Sequence, residues 1–232
     1  LKPWQKKQWC IPKVDAKFVA LMEQLLSLYS RAYESRYPVV CLDEKIVYLL
    51  HSMVENWPMR VGSCEKQDYE YVRSEEVSRN LFVVVEPLLG WRHLTITSRR
   101  TNQDYAHLIK WLVDEVYWEA LEIQLVQDNL NTHGPAALYQ TFPPEEAQRL
   151  MEKIRWYYTP KHASWLNMAE IEISVFERGC LGQRIGSEAT LVSEVAALEQ
   201  ERNAKQAKIN WQFNCELARS KLHRLYPKLE TL

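Results

Sequence analysis

Two short apolar runs, Val39-Val40-Cys41-Leu42 and Ile123-Gln124-Leu125-Val126-Gln127, each run straight into an aspartate, Asp43 and Asp128. A run of this length and continuity reads as a strand buried on both faces, which requires layers on either side of a sheet. Between the runs the pattern changes period. Tyr69–Arg73, Leu81–Glu86 and His93–Thr97 read as further strands, with Pro87-Leu88-Leu89-Gly90 turning the chain between the last two. Thr101 then offers a helix cap with Asp104 three residues on, and Tyr105, Leu108, Ile109, Leu112, Val113 and Val116 recur on one helical face.

The flanks fit the same layout. Phe18, Leu21, Met22, Leu25, Leu26 and Tyr29 mark a first helix, closed by Pro38. After the second run, Pro143-Pro144-Glu145-Glu146 opens a short helix, Ile154–Tyr158 is strand-like, and helices cover roughly Leu166–Leu181, Glu188–Arg202 and Cys215–Leu225. Strands, a helix, a strand and more helices predict an α/β fold with a mixed sheet covered by helices. Residues 1–14, with Trp4, Trp9 and two prolines, read as an arm or linker, and residues 15–232 as one domain.

Composition narrows the function. Hydrophobic residues make up 47% and charged residues 25% of 232, which excludes general disorder. No apolar run approaches the roughly 20 residues that span a bilayer, and the charged, proline-broken start is not a signal peptide, so no membrane partner is expected. The start is not Met, which suggests a processed or trimmed piece. Five scattered cysteines without a Cys-x-x-Cys pair predict reduced thiols rather than a disulfide framework or a zinc site. A net charge of −1 argues against a pure nucleic-acid-binding module and allows a nuclease whose acidic site offsets basic points such as Arg99-Arg100, Lys161-His162 and Arg178/Arg184.

Asp43 and Asp128 end apolar strands, where open α/β sheets place ligands, although a strand-end Asp is also a common turn former. A third acid comes from Met168-Ala169-Glu170-Ile171-Glu172-Ile173, on a helix that either Ser164 or Asn167 could cap. Ala169, Ile173, Phe176 and Cys180 form its apolar face, Glu170 lies at the edge, and periodicity does not choose between Glu170 and Glu172. Carboxylates from separate elements suit Mg²⁺, a hard ion that takes oxygen ligands and keeps waters and substrate phosphate. Two such ions about 3.5–4 Å apart can serve an in-line displacement at phosphorus. No P-loop, G-x-S-x-G, H-E-x-x-H or G-x-G-x-x-G motif competes.

Three segments carry a resemblance: Val40-Cys41-Leu42-Asp43-Glu44-Lys45, Leu125-Val126-Gln127-Asp128-Asn129-Leu130-Asn131-Thr132-His133 and Tyr158-Thr159-Pro160-Lys161-His162-Ala163-Ser164-Trp165-Leu166-Asn167-Met168-Ala169-Glu170. In order and spacing they resemble the signature blocks of bacterial insertion-sequence transposases of the mariner-related superfamily, in the insertion sequence six-thirty family. The resemblance extends to Glu86-Pro87-Leu88-Leu89-Gly90-Trp91-Arg92-His93 and Trp211-Gln212-Phe213. It implies a ribonuclease-H-like, retroviral-integrase-like core with a D-D-E site of Asp43, Asp128 and Glu170. Relatives often read Leu-Asn-Pro-Ile-Glu where this chain has Met168-Ala169 before the Glu, so Glu172 stays a lesser candidate.

The resemblance further implies two Mg²⁺ or Mn²⁺ ions, cut-and-paste transposition at a TA target, double-stranded DNA at transposon ends and target as partner, a homodimer on paired ends, and a bacterial cytoplasmic, nucleoid-associated setting. Family members carry helix-turn-helix domains ahead of the catalytic domain, and these residues are expected to lack them. Lys161, His162, Ser164, Asn129, Asn131, His133, Arg99 and Arg100 are candidates for DNA contact. Trp165 reads as a buried anchor of its loop or as a base-stacking surface, and Trp91, Trp111, Trp118 and Trp156 as core or helix-face packing. The rival functions are a ribonuclease-H-like nuclease without strand transfer, and a domesticated protein that binds DNA without cutting it.

Overall fold

The computed structural model describes residues 15–52, 57–64, 66, 70–128 and 134–227, with backbone alone for 51, 52 and 72–77. Five strands form one sheet in the order β3-β2-β1-β4-β5. These are β1 (Val39–Ser52), β2 (Tyr71–Glu86), β3 (Trp91–Thr97), β4 (Ile123–Gln127) and β5 (Ile154–Tyr158). The pairs β1·β2 and β2·β3 are antiparallel, whereas β1·β4 and β4·β5 are parallel. The helices are α1 (Ala16–Tyr29), α2 (Asn102–Trp111), α3 (Pro135–Thr141), α4 (Pro144–Glu152), α5 (Ala169–Phe176), α6 (Glu188–Ala204) and α7 (Cys215–Lys221).

Period-two alternation along β1 divides the core between the two faces. Val40 and Leu42 join Phe82, Val84 and Leu125 under α2, α3 and α4, where Tyr105, Ile109, Leu112, Leu138 and Leu150 are buried. Cys41 points the other way, with Val85 and Val126, against Met22, Leu25 and Leu26 of α1 and against Leu166 and Ala169. Further along that second face, Val47, Leu49, Leu81 and Val83 pack on Ile173 and Phe176 of α5 and Leu191 and Val195 of α6. Burying each such side chain contributes about 1.5–3 kcal/mol before entropy is charged against it, so a polar group placed among them needs a partner.

Local chemistry fixes the element ends. Asp15 accepts from the Phe18 amide at 2.8 Å to start α1. Thr101 and Asp104 form the expected reciprocal capping box on α2. The turn after β2 closes on Gly90 at φ +79°, where an added Cβ would lie 2.5 Å from the Gln206 carbonyl oxygen, so only glycine fits.

Three expectations change. Asp43 does not end its strand: β1 continues through Asp43-Glu44-Lys45 to Ser52, because β2 supports it as an antiparallel partner from Val85 to Tyr71. The segments around Tyr69–Arg73 and Leu81–Glu86 are likewise one strand over the described residues 71–86, Tyr69 lying outside them. A helix over Pro135–Thr141, unread in the sequence, precedes the expected one at Pro144. The arm assigned to residues 1–14 lies outside the described residues. Cys41, Cys64, Cys180 and Cys215 are free thiols, as expected. No helix among the described residues is long and apolar enough to cross a membrane.

Candidate active site

The parallel register sets the first two acids side by side. Val39, Val40 and Cys41 pair with Gln124, Leu125 and Val126, and continuing that register by two residues brings Asp128 level with Asp43. Alternation puts both on the face of Cys41 and Val126, toward α1 and α5. Asp43 is thus the residue at which β1 loses β4 as a neighbour, which opens space beside it within an otherwise packed sheet.

The chain before α5 brings in the third acid. Tyr29 donates to the Leu166 carbonyl at 2.8 Å and pins the approach. Asn167, fully buried, donates from Nδ2 to the Leu42 carbonyl at 2.9 Å and to Asp43 Oδ2 at 3.1 Å. Its Oδ1 accepts from the Ala169 amide at 3.1 Å, and its carbonyl accepts from the Glu170 amide at 3.1 Å. Of the two residues expected as caps, neither directly precedes α5, where Met168 stands, but Asn167 one residue earlier serves the helix start through the Ala169 amide and also ties it to β1. Glu170 therefore sits in the first turn of α5, half-buried and facing the aspartates.

The electrostatics report the convergence. Burial pushes the Asp43 carboxyl up to about 7, and the like charges of Glu170 and Asp128 push the same way, against the Glu44 amide (2.8 Å) and Asn167. Glu44 is also raised to about 7, by burial and by Asp128 and Asp43, while Arg100, 3.2 Å away, opposes the shift. The nearby cations are committed: Arg100 to Glu44, and Lys45 to Glu177. Asp43 thus has two like-charged neighbours beside its half-buried carboxyl, an arrangement that favours binding of a positive ion there. Among the described residues, no three His, Cys, Asp or Glu side chains are grouped tightly enough to enclose an ion by themselves. The donors are all oxygen, which fits an open site for a hard cation that keeps waters and phosphate in its shell, and not a cage.

Glu172, two residues on, has a different environment. It is fully buried, and its oxygens take Arg92 Nε at 3.1 Å, Arg202 Nε at 2.6 Å and a second Arg202 nitrogen at 3.0 Å. Arg92 is itself buried and donates on to the carbonyls of Gly90 (2.7 Å) and Ala207 (2.5 Å). This network clamps α5 to β3 and α6. Glu172, the lesser candidate for metal binding, is thus engaged in a buried ion pair with Arg92 and Arg202.

The remaining candidates divide. Lys161, His162 and Ser164 are exposed on the loop from β5 to α5, with His162 in the left-handed region at φ 64°. Thr159 donates to the Gln127 carbonyl at 3.0 Å, so this loop leaves the sheet at the edge where Asp128 lies. Arg99 is exposed, and Arg100 lies against Glu44. Asn129, Asn131 and His133 lie outside the described residues. Trp165 is no buried anchor: it is 46% exposed and meets Phe213 edge-on. Trp91, Trp111 and Trp156 pack against the core as expected, but Trp118 is 65% exposed. Glu44, and the two donors of Asn167, went unread. Glu44 follows Asp43 directly, and on an alternating strand the next residue belongs to the opposite face, so only the end of β4 brings it within reach of Asp128.

Residues 38–192 match the family model described as DDE superfamily endonuclease. No curated protein matches the chain by sequence. Among solved structures, the Mos1 mariner paired-end complex with Mn superposes with a TM-score of 0.56 at 12% identity, over 89% of this chain and 68% of that one. The Mos1 strand transfer complex gives 0.57 at 14% identity, over 97% and 63%. A pre-cleavage Mos1 transpososome gives 0.55 at 11%, over 91% and 68%. The chain thus spans about two thirds of the length of these structures. At such identity the likeness concerns the fold, and it bears out the ribonuclease-H-like expectation of a mixed sheet flanked by helices. The family match runs from the start of β1 into α6 and takes in Asp43, Asp128, Asn167 and Glu170, and since it covers more than half of the residues, the chain belongs to the DDE superfamily endonucleases.

Proposed function

We propose that this chain is the catalytic domain of a transposase of the insertion sequence six-thirty family, with Asp43, Asp128 and Glu170 holding two Mg²⁺ or Mn²⁺ ions. The observation that carries the reading is the crowding of like charge at Asp43: a half-buried carboxyl, lifted to about 7, with Glu170 and Asp128 as its like-charged neighbours. Bound there, divalent ions would neutralise the phosphodiester and ease loss of a proton from the attacking hydroxyl.

The chain's own residues supply position. Asn167 and the Glu44 amide hold Asp43, and the first turn of α5 presents Glu170. Lys161, His162 and Ser164, exposed on the loop leading to α5, supply phosphate contacts that set the register of the DNA strand. Exposed Arg99 is a further candidate for DNA contact, as are Asn129, Asn131 and His133, which follow Asp128 in the sequence. In the proposed reaction, water first cuts a phosphodiester at the transposon end. The freed 3′-hydroxyl then attacks a target phosphodiester, and its proton leaves with solvent as the target strand's 3′-oxygen departs. Positioning and charge neutralisation dominate both steps.

The Mos1 structures are paired-end and strand-transfer complexes, one of them with Mn. By analogy, double-stranded DNA is the partner and a homodimer on paired ends the working assembly; a bacterial, nucleoid-associated setting is what the insertion-sequence resemblance implies. The test is incubation of the chain with labelled end DNA and a target plasmid in Mn²⁺. Nicked ends and joined end–target products are expected, both lost in Asp128→Asn. Nicking without joining would overturn the transposase reading in favour of a simple nuclease, and unchanged activity in Asp128→Asn would remove that residue from the site.

A further inference from the structure

We infer that Asn167 is a positioning residue of the metal centre, one buried amide that orients the Asp43 carboxylate and seats the helix carrying Glu170. The inference rests on the reading of Asp43 and Glu170 as metal ligands. Its ground is the way Asn167 spends its hydrogen bonds. The side chain is fully buried, so each polar atom needs a partner. Oδ1 accepts from the Ala169 amide, which is all that a helix start requires, and serine, threonine or aspartate could do as much. Nδ2 is free for other work, and both of its protons go to β1: one to the Leu42 carbonyl, one to Asp43 Oδ2. The amide cannot be turned over, because its oxygen would then face two other oxygens.

The consequence falls on Asp43. Its Oδ1 is fixed by the Glu44 amide and its Oδ2 by Asn167, so one rotamer is selected, and the lone pairs left over are those open to a cation. The same residue's backbone carbonyl receives the Glu170 amide, so the first and third acids are both referenced to Asn167, one through its side chain and one through its main chain, over a sequence gap of more than 120 residues. A carboxylate held in this way binds a cation without first losing rotamer freedom. Without the donor, Asp43 can swing away from two like charges, and binding has to restore the geometry.

The experiment is Mn²⁺ titration by calorimetry of the full chain as wild type, Asn167→Ser, Asn167→Ala and Asp128→Asn, with melting of each in EDTA. Serine keeps an oxygen for the Ala169 amide and is too short to reach Asp43. Asn167→Ser is expected to bind Mn²⁺ at least tenfold more weakly while melting closer to wild type than Asn167→Ala does. Binding within twofold of wild type would overturn the inference and leave Asn167 a helix cap. If wild type takes up no Mn²⁺, or Asp128→Asn binds equally well, the metal-centre reading falls and this inference with it. A second measurement needs no variant at 167: the Asn167 side-chain amide protons, assigned through their own Cβ in the wild-type chain, should shift saturably with Mg²⁺ and not in Asp43→Asn. Protons unmoved by Mg²⁺ in wild type would overturn the inference even if Asn167→Ser does not fold.

Discussion

Glu170 and Glu172 stand two residues apart on the same helix and answer to opposite environments. Glu172 is wholly buried, yet its charge is matched by Arg92 and Arg202 through three hydrogen bonds. Glu170 is half-exposed and adds negative charge to Asp43, which burial and Asp128 already disfavour. One acid belongs to a finished network that holds α5 to β3 and α6; the other stands as a like-charged neighbour of Asp43. The difference teaches that burial alone does not distinguish a ligand from a scaffold acid. The neighbouring charge does: a carboxylate between two arginines holds its surroundings together, whereas carboxylates crowded by like charge favour a bound cation.

Swapping the two glutamates to glutamine breaks the comparison most sharply. Glu170→Gln should lower the rate of DNA nicking in Mn²⁺ by roughly 10³-fold, about 4 kcal/mol of transition-state stabilisation. Its melting temperature in EDTA should stay level or rise, because repulsion with Asp43 is relieved. Equal nicking rates would mean that Glu170 is not part of the site. Glu172→Gln should behave in reverse. Leaving Arg92 without its counter-charge should cost about 3–5 kcal/mol, a fall in melting temperature on the order of 10 °C for a chain of this size. Calorimetry or circular dichroism reads it, and an unshifted melt would show the ion pair to be dispensable.

The pH dependence sharpens the same contrast at smaller magnitude. Asp43, faced by Glu170, Asp128 and Asn167, and Glu44, faced by Arg100 and Asp128, are both raised to about 7 in the folded chain. The folded state therefore holds protons that the unfolded chain has released above about pH 4. The contribution of these two groups to stability without metal should thus be greatest below that pH, fall as pH rises toward 7, and level off above it, by an amount on the order of 1 kcal/mol or more. Asp43→Asn should flatten the slope, and a slope unchanged by it would place the proton uptake elsewhere. The smallest effect concerns the exposed loop. Lys161→Ala should weaken binding of end and random DNA alike and reduce the salt slope of the affinity by about 1. A loss confined to end DNA would instead make Lys161 a sequence reader.

Much of this frame is legible in the chain because it is local. The buried strand at Ile123–Gln127 and the Thr101–Asp104 box are written within a few residues of themselves, and the structure has both. The site is legible only halfway. Asp43 and Asp128 stand out because each follows an apolar run, but the polar stretch Asp43-Glu44-Lys45 looks like a strand end, and only the distant β2 carries β1 through it. The two glutamates are indistinguishable by period, since the arginines that neutralise Glu172 lie 80 and 30 residues away in sequence. Trp165 and Trp118 mislead for a related reason: an aromatic residue announces a large surface, and not which way the loop holding it will turn.

Anomalous scattering from crystals of the chain grown in MnCl₂ tests the central claim most directly. The account predicts manganese peaks within coordination distance of Asp43, with Asp128 and Glu170 completing the protein's share of the ligands and Glu172 still paired with Arg92 and Arg202. Manganese absent from Asp43 at saturating concentration, or bound through Glu172, would contradict it.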